Sequence, residues 1–316
     1  MEIKNQNMPL VSVIASCYNQ SSFLLETLES IKNQTYKNIQ LIMWDDCSSD
    51  NSVELIEEWI VNNQVDCVFL KHEKNMGICK SLNEAFGYVK GKYLQMVAMD
   101  DILLPDKIER HVEILESSNE KDALVFSNGF IIDGNGYNTG ELFLEYHGKK
   151  SENLYSGNYY QMLLTNPFMP AMSILYKVSV IIQLNGWDEN LKFEDYDLLL
   201  RIAQQFDFIF DDSSTVKYRL HKTNLHKTHS SYYIDYAKIY SKHIEQNIIK
   251  NRFHKVLKDL YFKNNSKLKE WRKIYFVHSK ADTFLLKCIK YNIPVKIYNI
   301  LRVLKQKCYL CQKYPS

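Results

Sequence analysis

Several short polar clusters in this chain combine residue types that could hold a charged ligand or move a proton. Neighbouring carboxylates occur at Asp45-Asp46, Asp100-Asp101 and Glu194-Asp195, and a basic pair, Arg219 and His221, follows. Adjacent carboxylates repel each other unless a cation is present, and a divalent cation bridging a diphosphate would relieve that repulsion. The pair at 100–101 therefore favours a site for a divalent cation.

The other clusters also have chemical uses. The Asp46 carboxylate could accept a hydrogen bond from a nucleobase N–H. Asp195 opens a predicted helix, where the helix dipole lowers the pKa of a carboxylate, so it would stay ionised and could act as a general base. Arg219 and His221 are residue types that bind phosphate and metal. Helix capping and polar turns account for the same acidic pairs, so residue types alone leave both interpretations open.

The predicted strands and helices bring the first clusters to one edge of a sheet. Short, apolar, β-branched runs predict buried strands at 11–16, 39–44, 67–70 and 93–98, with helical spacing of apolar residues between them. This βαβαβαβ order predicts a parallel, doubly wound sheet. Ligands in such sheets bind beyond the carboxyl ends of the strands. The polar clusters after the first, second and fourth strands all fall there.

The second half of the chain has a less regular pattern of predicted strands and helices. A helix follows Pro105, a strand is predicted at 124–127, and 133–150 is a polar loop or hairpin. From about residue 236 the pattern is helical and rich in lysine. We therefore expect an α/β domain at 1–235, with a ligand-binding half at 9–101 and a second half at 102–235, and then a basic helical region at 236–316.

Composition excludes several protein classes. The 316 residues are 46% hydrophobic and 24% charged with a net charge of +2, which is typical of a globular protein and too neutral to indicate nucleic-acid binding. The seven cysteines have no paired spacing, which favours reduced thiols and a cytoplasmic protein. All ten glycines lie at Gly77 or later, so no glycine-rich phosphate loop follows the first strand. That argues against a sugar nucleotidyltransferase.

Five segments, in this order, resemble the inverting glycosyltransferases of family 2. They are VSVIASCYN, WDDCSSDNS, EKNMG with Asn83, AMDDILLPDKI and GWDENLKFEDYDLLLRI, and they extend over roughly residues 9–221. VSVIASCYN and MDDILLPD look most like the spore-coat polysaccharide type of that family. The resemblance implies an α/β fold of the GT-A type: a doubly wound, mostly parallel sheet flanked by helices, with a C-terminal helical extension.

The resemblance also implies roles for individual residues. Asp195 matches the catalytic base. The positions that match nucleotide contacts are Ser16, Tyr18, Asp46 and Asp100, with Asp46 as the uracil partner. Asp101 and His221 match the positions that hold Mn²⁺ or Mg²⁺. Acceptor-side positions are Trp187, Asp188, Glu189 and Glu194.

The implied activity is inverting transfer of a sugar from a nucleotide diphosphate sugar, with UDP as the expected nucleotide. The acceptor would be a hydroxyl of a saccharide or lipid-linked molecule in bacterial surface polysaccharide or glycoconjugate synthesis. Two positions depart from the family pattern: Ala98 replaces a frequent aspartate and Leu82 a frequent arginine. The alternative is a catalytically inactive relative that acts as a carbohydrate-binding or scaffold protein.

The C-terminal region suggests a location for the protein. From residue 281 onward Asp282 is the only acidic residue, and lysines and arginines alternate with apolar residues. A basic amphipathic helix binds an anionic membrane surface, so 281–316 predicts peripheral contact with the inner face of the cell membrane. Packing of these helices on the catalytic domain, or on the partner of a homodimer, is the alternative.

Overall fold

The computed structural model describes residues 8–222, 224, 232–243, 245–263, 284, 287–288, 291 and 293–303. The chain divides into two compact units, Met1–Thr228 and His229–Ser316. Across the described residues no helix is both long and apolar enough to cross a bilayer.

The first unit is built on one mixed sheet. In the described part of the chain it has nine strands in the order β3-β2-β1-β4-β8-β6-β9-β5, with β7 paired to β6. The strands are β1 (Val11–Cys17), β2 (Ile39–Asp45), β3 (Cys67–Lys71), β4 (Tyr93–Ala98), β5 (Ile102–Leu103), β6 (Asp122–Asp133), β7 (Asn138–Leu142), β8 (Leu175–Lys177) and β9 (Asp207–Leu220).

Helices connect and cover these strands. In the first unit they are α1 (Leu24–Lys32), α2 (Ser52–Asn63), α3 (Ile78–Phe86), α4 (Lys107–Glu116), α5 (Phe143–Tyr146), α6 (Tyr160–Thr165), α7 (Val178–Gln183) and α8 (Asp195–Ala203). Single 3₁₀ turns lie at Ser151–Asn153 and Ala171–Ser173. The second unit contains α9 (Tyr232–Lys242), α10 (Asn247–Phe262) and a helix at 295–303.

The predicted parallel half of the sheet is confirmed. β1 pairs in parallel with both β2 and β4, and β2 pairs in parallel with β3. Val11, Val13, Ile14 and Ala15 are all fully buried, as expected for a strand covered by helices on both faces. The strand ends after β1, β2 and β4 therefore lie side by side at one edge, which is the edge that the sequence predicts for the ligand.

The other half of the sheet departs from simple parallel winding. β8 lies antiparallel between β4 and β6, and β9 runs parallel to β6 along nearly its whole length. The predicted strand at 124–127 extends to Asp133, because β9 supplies a partner beyond the apolar run. Gly129 lies at a register shift, where a Cβ atom would come within 2.7 Å of the Val216 side chain. A glycine in that position obscured the strand in the sequence.

The short strand β5 determines which residues reach the ligand edge. Directly after Asp101 the chain pairs antiparallel with β9, joining Ile102 to Lys217 and Leu103 to Val216. The end of β9 is thereby placed beside the Asp100-Asp101 pair, although more than a hundred residues separate them along the chain. This pairing brings Arg219 and His221 to the predicted metal site.

Candidate functional site

The loops that follow β1 and β2 are tied to each other. The side-chain oxygen of Asn19 accepts hydrogen bonds from the backbone N–H and the hydroxyl of Ser49, at 2.7 and 3.1 Å. The backbone N–H of Asn19 in turn donates to the Ser48 hydroxyl at 2.8 Å. Asn19 and Cys47 both have positive φ, at 54° and 65°, which these cross-links help to hold. The two loops are therefore joined into one rim at the carboxyl edge of the sheet.

Two predicted nucleotide contacts lie on this rim. Tyr18 is 41% exposed, so its ring is open for stacking on a base. Ser16 lies deeper at the end of β1, where its carbonyl accepts the backbone N–H of Met99 at 2.9 Å. Ser16 thus fixes the start of the aspartate segment that follows β4.

The Asp46 carboxylate is almost fully buried and heavily hydrogen-bonded. Its Oδ1 is 2.8 Å from Nδ1 of His72 and accepts the backbone N–H of Met76 at 2.7 Å. Its Oδ2 accepts the backbone N–H of Gly77 at 2.9 Å. Asp46 therefore holds the 72–77 turn against the sheet, and Oδ2 retains more acceptor capacity than Oδ1.

Asp100 and His221 form the second part of the site. Nε2 of His221 lies 3.0 Å from Oδ2 of Asp100, and the Gln20 amide donates to the same oxygen at 3.2 Å. The Phe23 ring packs against the His221 ring with centroids 4.7 Å apart. His221, expected from the sequence to hold the metal together with Asp101, thus contacts Asp100 directly.

Asp101 lies below this pair and faces the end of β9. Its Oδ1 accepts the backbone N–H of Arg219 at 2.9 Å, and its side chain is nearly buried. Burial, and then the negative charge of Asp100, raise the pKa of the Asp101 carboxyl well above its usual range. The repulsion expected from the sequence is thus present in the fold, and a cation would relieve it.

The residues present fit a cation that arrives with a diphosphate. Among the residues that the structure describes, no three carboxylate, imidazole or thiolate groups form a ready-made metal cluster. Mg²⁺ and similar hard cations are commonly held by one or two carboxylates, with substrate phosphates supplying further oxygens. Asp101 and Asp100 meet that requirement and do not form a closed metal centre.

Arg219 does not face the ligand edge. Its side chain is 1% exposed, and its guanidinium donates to the Asp100 carbonyl at 2.9 Å and to Oε2 of Glu26 at 2.6 Å. In this arrangement the guanidinium is occupied by protein groups, although arginine is a residue type that can bind phosphate. The alternation of side chains along β9 points it into the protein.

The predicted acceptor segment is clamped by Asn83. The Asn83 side chain accepts the backbone N–H of Trp187 at 3.0 Å and donates to the Trp187 carbonyl at 2.9 Å and to Glu189 at 3.1 Å. Gly186 has a φ of 67°, and a Cβ atom there would lie 2.5 Å from the Asn83 oxygen. Only glycine permits this close approach.

The side chains of this segment differ in accessibility. The Trp187 ring is 3% exposed and packs edge-on against Phe86, so it supports the segment from below. Asp188 accepts the backbone N–H and the side-chain amide of Asn190. Of the predicted acceptor residues, Glu189 is exposed, whereas Asp188 and Glu194 are half-buried.

The Glu194-Asp195 pair opens α8 but does not behave as the helix dipole alone predicts. Burial raises the pKa of Asp195 against the lowering effect of the Tyr196 backbone N–H, whose nitrogen is 2.6 Å from Oδ1. Burial, and then the charge of Asp195, raise the pKa of Glu194 to about 8. The expectation of a lowered pKa at Asp195 is therefore wrong, because desolvation outweighs the dipole.

Tyr218 connects the two acidic pairs. Burial raises the pKa of its phenol, and the charges of Asp101, Asp100, Tyr146 and Asp195 raise it further. The Asp100-Asp101 pair after β4 and Asp195 at the start of α8 thus both act on the Tyr218 phenol through their charges.

Comparison with known proteins agrees with this geometry. The profile of glycosyl transferase family 2 matches residues 12–184, more than half of the chain. The chain belongs to glycosyltransferase family 2.

Relatives of this transferase lie in both bacteria and archaea. An uncharacterised glycosyltransferase of Rickettsia typhi is 26% identical over 304 residues, covering 92% of this chain and 93% of the relative. One from Methanocaldococcus jannaschii is 30% identical over 221 residues, covering 69% and 73%.

Solved structures confirm the fold of the transferase as GT-A-like. S. aureus TarS 1–349 in complex with UDP-GlcNAc aligns with a TM-score of 0.59 at 15% identity, covering 90% of this chain and 79% of TarS. The mannosyltransferase PcManGT from Pyrobaculum calidifontis, in complex with GDP-Man and Mn²⁺, aligns with a TM-score of 0.55 at 15% identity, covering 97% and 81%. At this identity the likeness establishes the α/β architecture of the transferase.

Sequence analysis missed two polar residues of the site in this transferase. His72 follows β3 at the same sheet edge as the other clusters, and Gln20 ends the polar run after β1. The rule that ligands meet at strand ends applies to both. His72 stands in an ordinary charged run between Lys71 and Glu73, and Gln20 carries no charge, so neither stood out as a motif.

The raised pKa of Glu194 predicts a pH-dependent contribution to stability. The folded transferase holds this proton more tightly than the unfolded chain, so the contribution is lost as pH rises from the ordinary value of 4.5 to about 8. We expect the melting temperature of the wild type to fall more steeply over that range than that of Glu194→Gln. Thermal unfolding at a series of pH values measures the difference, with the exposed Glu54→Gln as control. Parallel curves for all three proteins would contradict the assignment.

Proposed function

We propose that this family 2 enzyme transfers a sugar, with inversion, from a uridine diphosphate sugar to an acceptor hydroxyl. The acceptor is a saccharide or a lipid-linked molecule used in bacterial surface polysaccharide or glycoconjugate synthesis. The observation that carries the proposal is the buried Asp100-Asp101 pair at the carboxyl end of β4, with His221 in contact with Asp100, since it fits a cation that bridges a diphosphate. The complex of TarS with UDP-GlcNAc supports this class of donor.

The hydrogen bonding of Asp46 supports uracil or thymine over guanine. Oδ1 is engaged by His72 and Met76, whereas Oδ2 accepts from Gly77 alone. Uracil and thymine present a single N–H between two carbonyls, which one free acceptor site can satisfy. Guanine presents two adjacent N–H donors and would need both oxygens. We place the base between Oδ2 of Asp46 and the exposed ring of Tyr18.

In the proposed reaction, the acceptor hydroxyl attacks the anomeric carbon from the face opposite the diphosphate. Asp195 takes the hydroxyl proton as the new C–O bond forms, and the bond to the diphosphate breaks with its electron pair on the leaving oxygen. Glu194, which holds its proton near neutral pH, donates a hydrogen bond to the acceptor. Asp101 and Asp100 would hold Mn²⁺ or Mg²⁺, which offsets negative charge on the diphosphate.

The binding test uses calorimetry with UDP, dTDP and GDP, each with and without Mn²⁺. We expect UDP or dTDP to bind in a metal-dependent way and GDP to bind more weakly. Asp101→Ala should abolish the metal-dependent part, because it removes a buried carboxylate beside the diphosphate, whereas Asp212→Ala on the exposed part of β9 should not. Tight GDP binding would contradict the base assignment. Absence of binding to all three would favour the scaffold alternative.

The catalytic test uses donor hydrolysis, in which water replaces the acceptor. Asp195→Asn should lower the turnover of a UDP-hexose panel by about 10²-fold or more, since it removes the proton acceptor. Glu194→Gln should lose much less, because Glu194 is already protonated at neutral pH. An Asp195→Asn enzyme with wild-type turnover would exclude Asp195 as the base.

We also propose that the second unit contacts an anionic membrane from the cytoplasmic side. Residues 281–283, 285–286, 289–290, 292 and 304–316 of the predicted basic region lie outside the described residues. The helix at 295–303 is described, and Tyr298 is buried there against Tyr261, Phe262 and Phe284. Opposite Tyr298, Ile297, Ile300 and Val303 are 47%, 60% and 50% exposed, with Lys296 among them. An exposed apolar stripe with a lysine fits the interface of an anionic bilayer.

Vesicle flotation tests this surface on the full chain. We expect binding to phosphatidylcholine vesicles only when phosphatidylglycerol is included, and loss of binding in the triple variant Ile297→Ser/Ile300→Ser/Val303→Ser. The control is Val61→Ser/Ile182→Ser, which replaces more exposed apolar residues of the first unit, at 73% and 62%. Unchanged flotation of the triple variant would exclude the stripe. A dimer lost only in that variant would assign the stripe to the predicted homodimer.

A further inference from the structure

Arg219 is a buried cation directly beneath the two aspartates. Its side chain is among the largest fully buried ones of the described chain, and it forms an ion pair with Glu26, whose side chain is 56% exposed. A buried guanidinium is costly unless its donors are used. Here Nε donates to the Asp100 carbonyl at 2.9 Å, Nη2 to Glu26 at 2.6 Å, and Nη1 lies 3.5 Å from the Asp133 carbonyl.

The contacts of Arg219 act on both aspartates at once. The Asp100 carbonyl belongs to the peptide that joins Asp100 to Asp101, so the guanidinium fixes the plane of that peptide. The backbone N–H of Arg219 holds Oδ1 of Asp101 at 2.9 Å. Arg219 therefore orients the Asp100 carboxylate through the backbone and the Asp101 carboxylate through a direct hydrogen bond.

Arg219 also orders His221 through two neighbours. Its guanidinium lies over the Phe23 ring at 5.0 Å, and the same ring packs against the His221 ring. The Asn224 side chain donates to the Arg219 carbonyl at 3.0 Å and accepts the backbone N–H of His221 at 2.6 Å. The stretch from 219 to 221 is thus held as a unit against α1.

We propose that Arg219 is a positioning residue for the metal and diphosphate end of the donor site. It does not touch the ligand. It holds Asp100, Asp101 and His221 in a fixed arrangement before the ligand arrives and places a permanent positive charge beneath the negative pair. The inference rests on the proposed function, because it concerns how that site binds its donor.

Two variants disturb this arrangement to different degrees. Arg219→Lys keeps a charge but loses the planar fork that reaches the Asp100 carbonyl and Glu26 together. Glu26→Gln is at an exposed position of α1, so it loosens the guanidinium without opening the core. The matched control is Glu57→Gln on α2. It removes an exposed ion pair in which Oε1 of Glu57 lies 2.6 Å from Nζ of Lys71.

The measurement is the calorimetric Kd of UDP with Mn²⁺ compared with that of UMP without metal. Partners that orient metal ligands typically change metal affinity about 10- to 100-fold when lost. We expect Arg219→Lys to weaken Mn²⁺–UDP about 10-fold or more and Glu26→Gln several-fold by the same reasoning. UMP affinity should change less than about 2-fold, because Tyr18 and Asp46 are not in contact with Arg219. Glu57→Gln should resemble the wild type for both ligands.

The outcomes separate the inference from the proposed function. Wild-type affinity for Mn²⁺–UDP in both variants would overturn the positioning role and leave the proposed function intact. An equal loss for UMP and Mn²⁺–UDP would overturn it as well, since that is the mark of general structural damage. If Arg219→Lys does not fold, Glu26→Gln decides by the same comparison. A wild type that binds neither ligand would overturn the proposed function, and the inference with it.

Discussion

Two carboxylates side by side at the end of a buried strand are the constraint on which the rest of this site depends. Asp100 and Asp101 follow β4 with little solvent to screen them, and burial with mutual repulsion raises the pKa of Asp101. Such a pair persists in a stable fold only if nearby groups offset its charge or hold its oxygens. The ends of β1 and β9 supply these groups, as Gln20, Arg219 and His221.

The acidic pair at the start of α8 shows the same competition between burial and local dipoles. A helix N-terminus stabilises a carboxylate, and Asp195 does have the Tyr196 N–H close to its oxygen. Desolvation nevertheless dominates and raises the pKa values of both acids. A proton acceptor with a raised pKa is a stronger base, which suits the removal of a proton from a hydroxyl. The same desolvation that costs stability therefore strengthens the base that the proposed reaction uses.

Rigid support for the site comes from residues that face away from the ligand. Asn83 fixes the backbone of 186–189, and Arg201 binds the carbonyls of Leu184 and Gly186 while paired with Asp197. Arg219 does the same for the aspartates. In each case a guanidinium or amide with several donors holds main-chain atoms and so fixes the segments that carry the carboxylates. Precise sites in proteins commonly depend on such supporting contacts.

The sequence by itself determined the parallel half of the sheet and the carboxylates at its edge. Local apolar runs set β1 to β4, and the strand-end rule located Asp46 and the Asp100-Asp101 pair at that edge, because both signals act over a few residues. Only the tertiary structure decided the direction of Arg219, the contact of His221 with Asp100 and the burial of Trp187. These depend on the pairing of β5 with β9 and on the Asn83 clamp, and both join segments about a hundred residues or more apart. Burial, and with it the pKa of Asp195, follows from the same long-range packing.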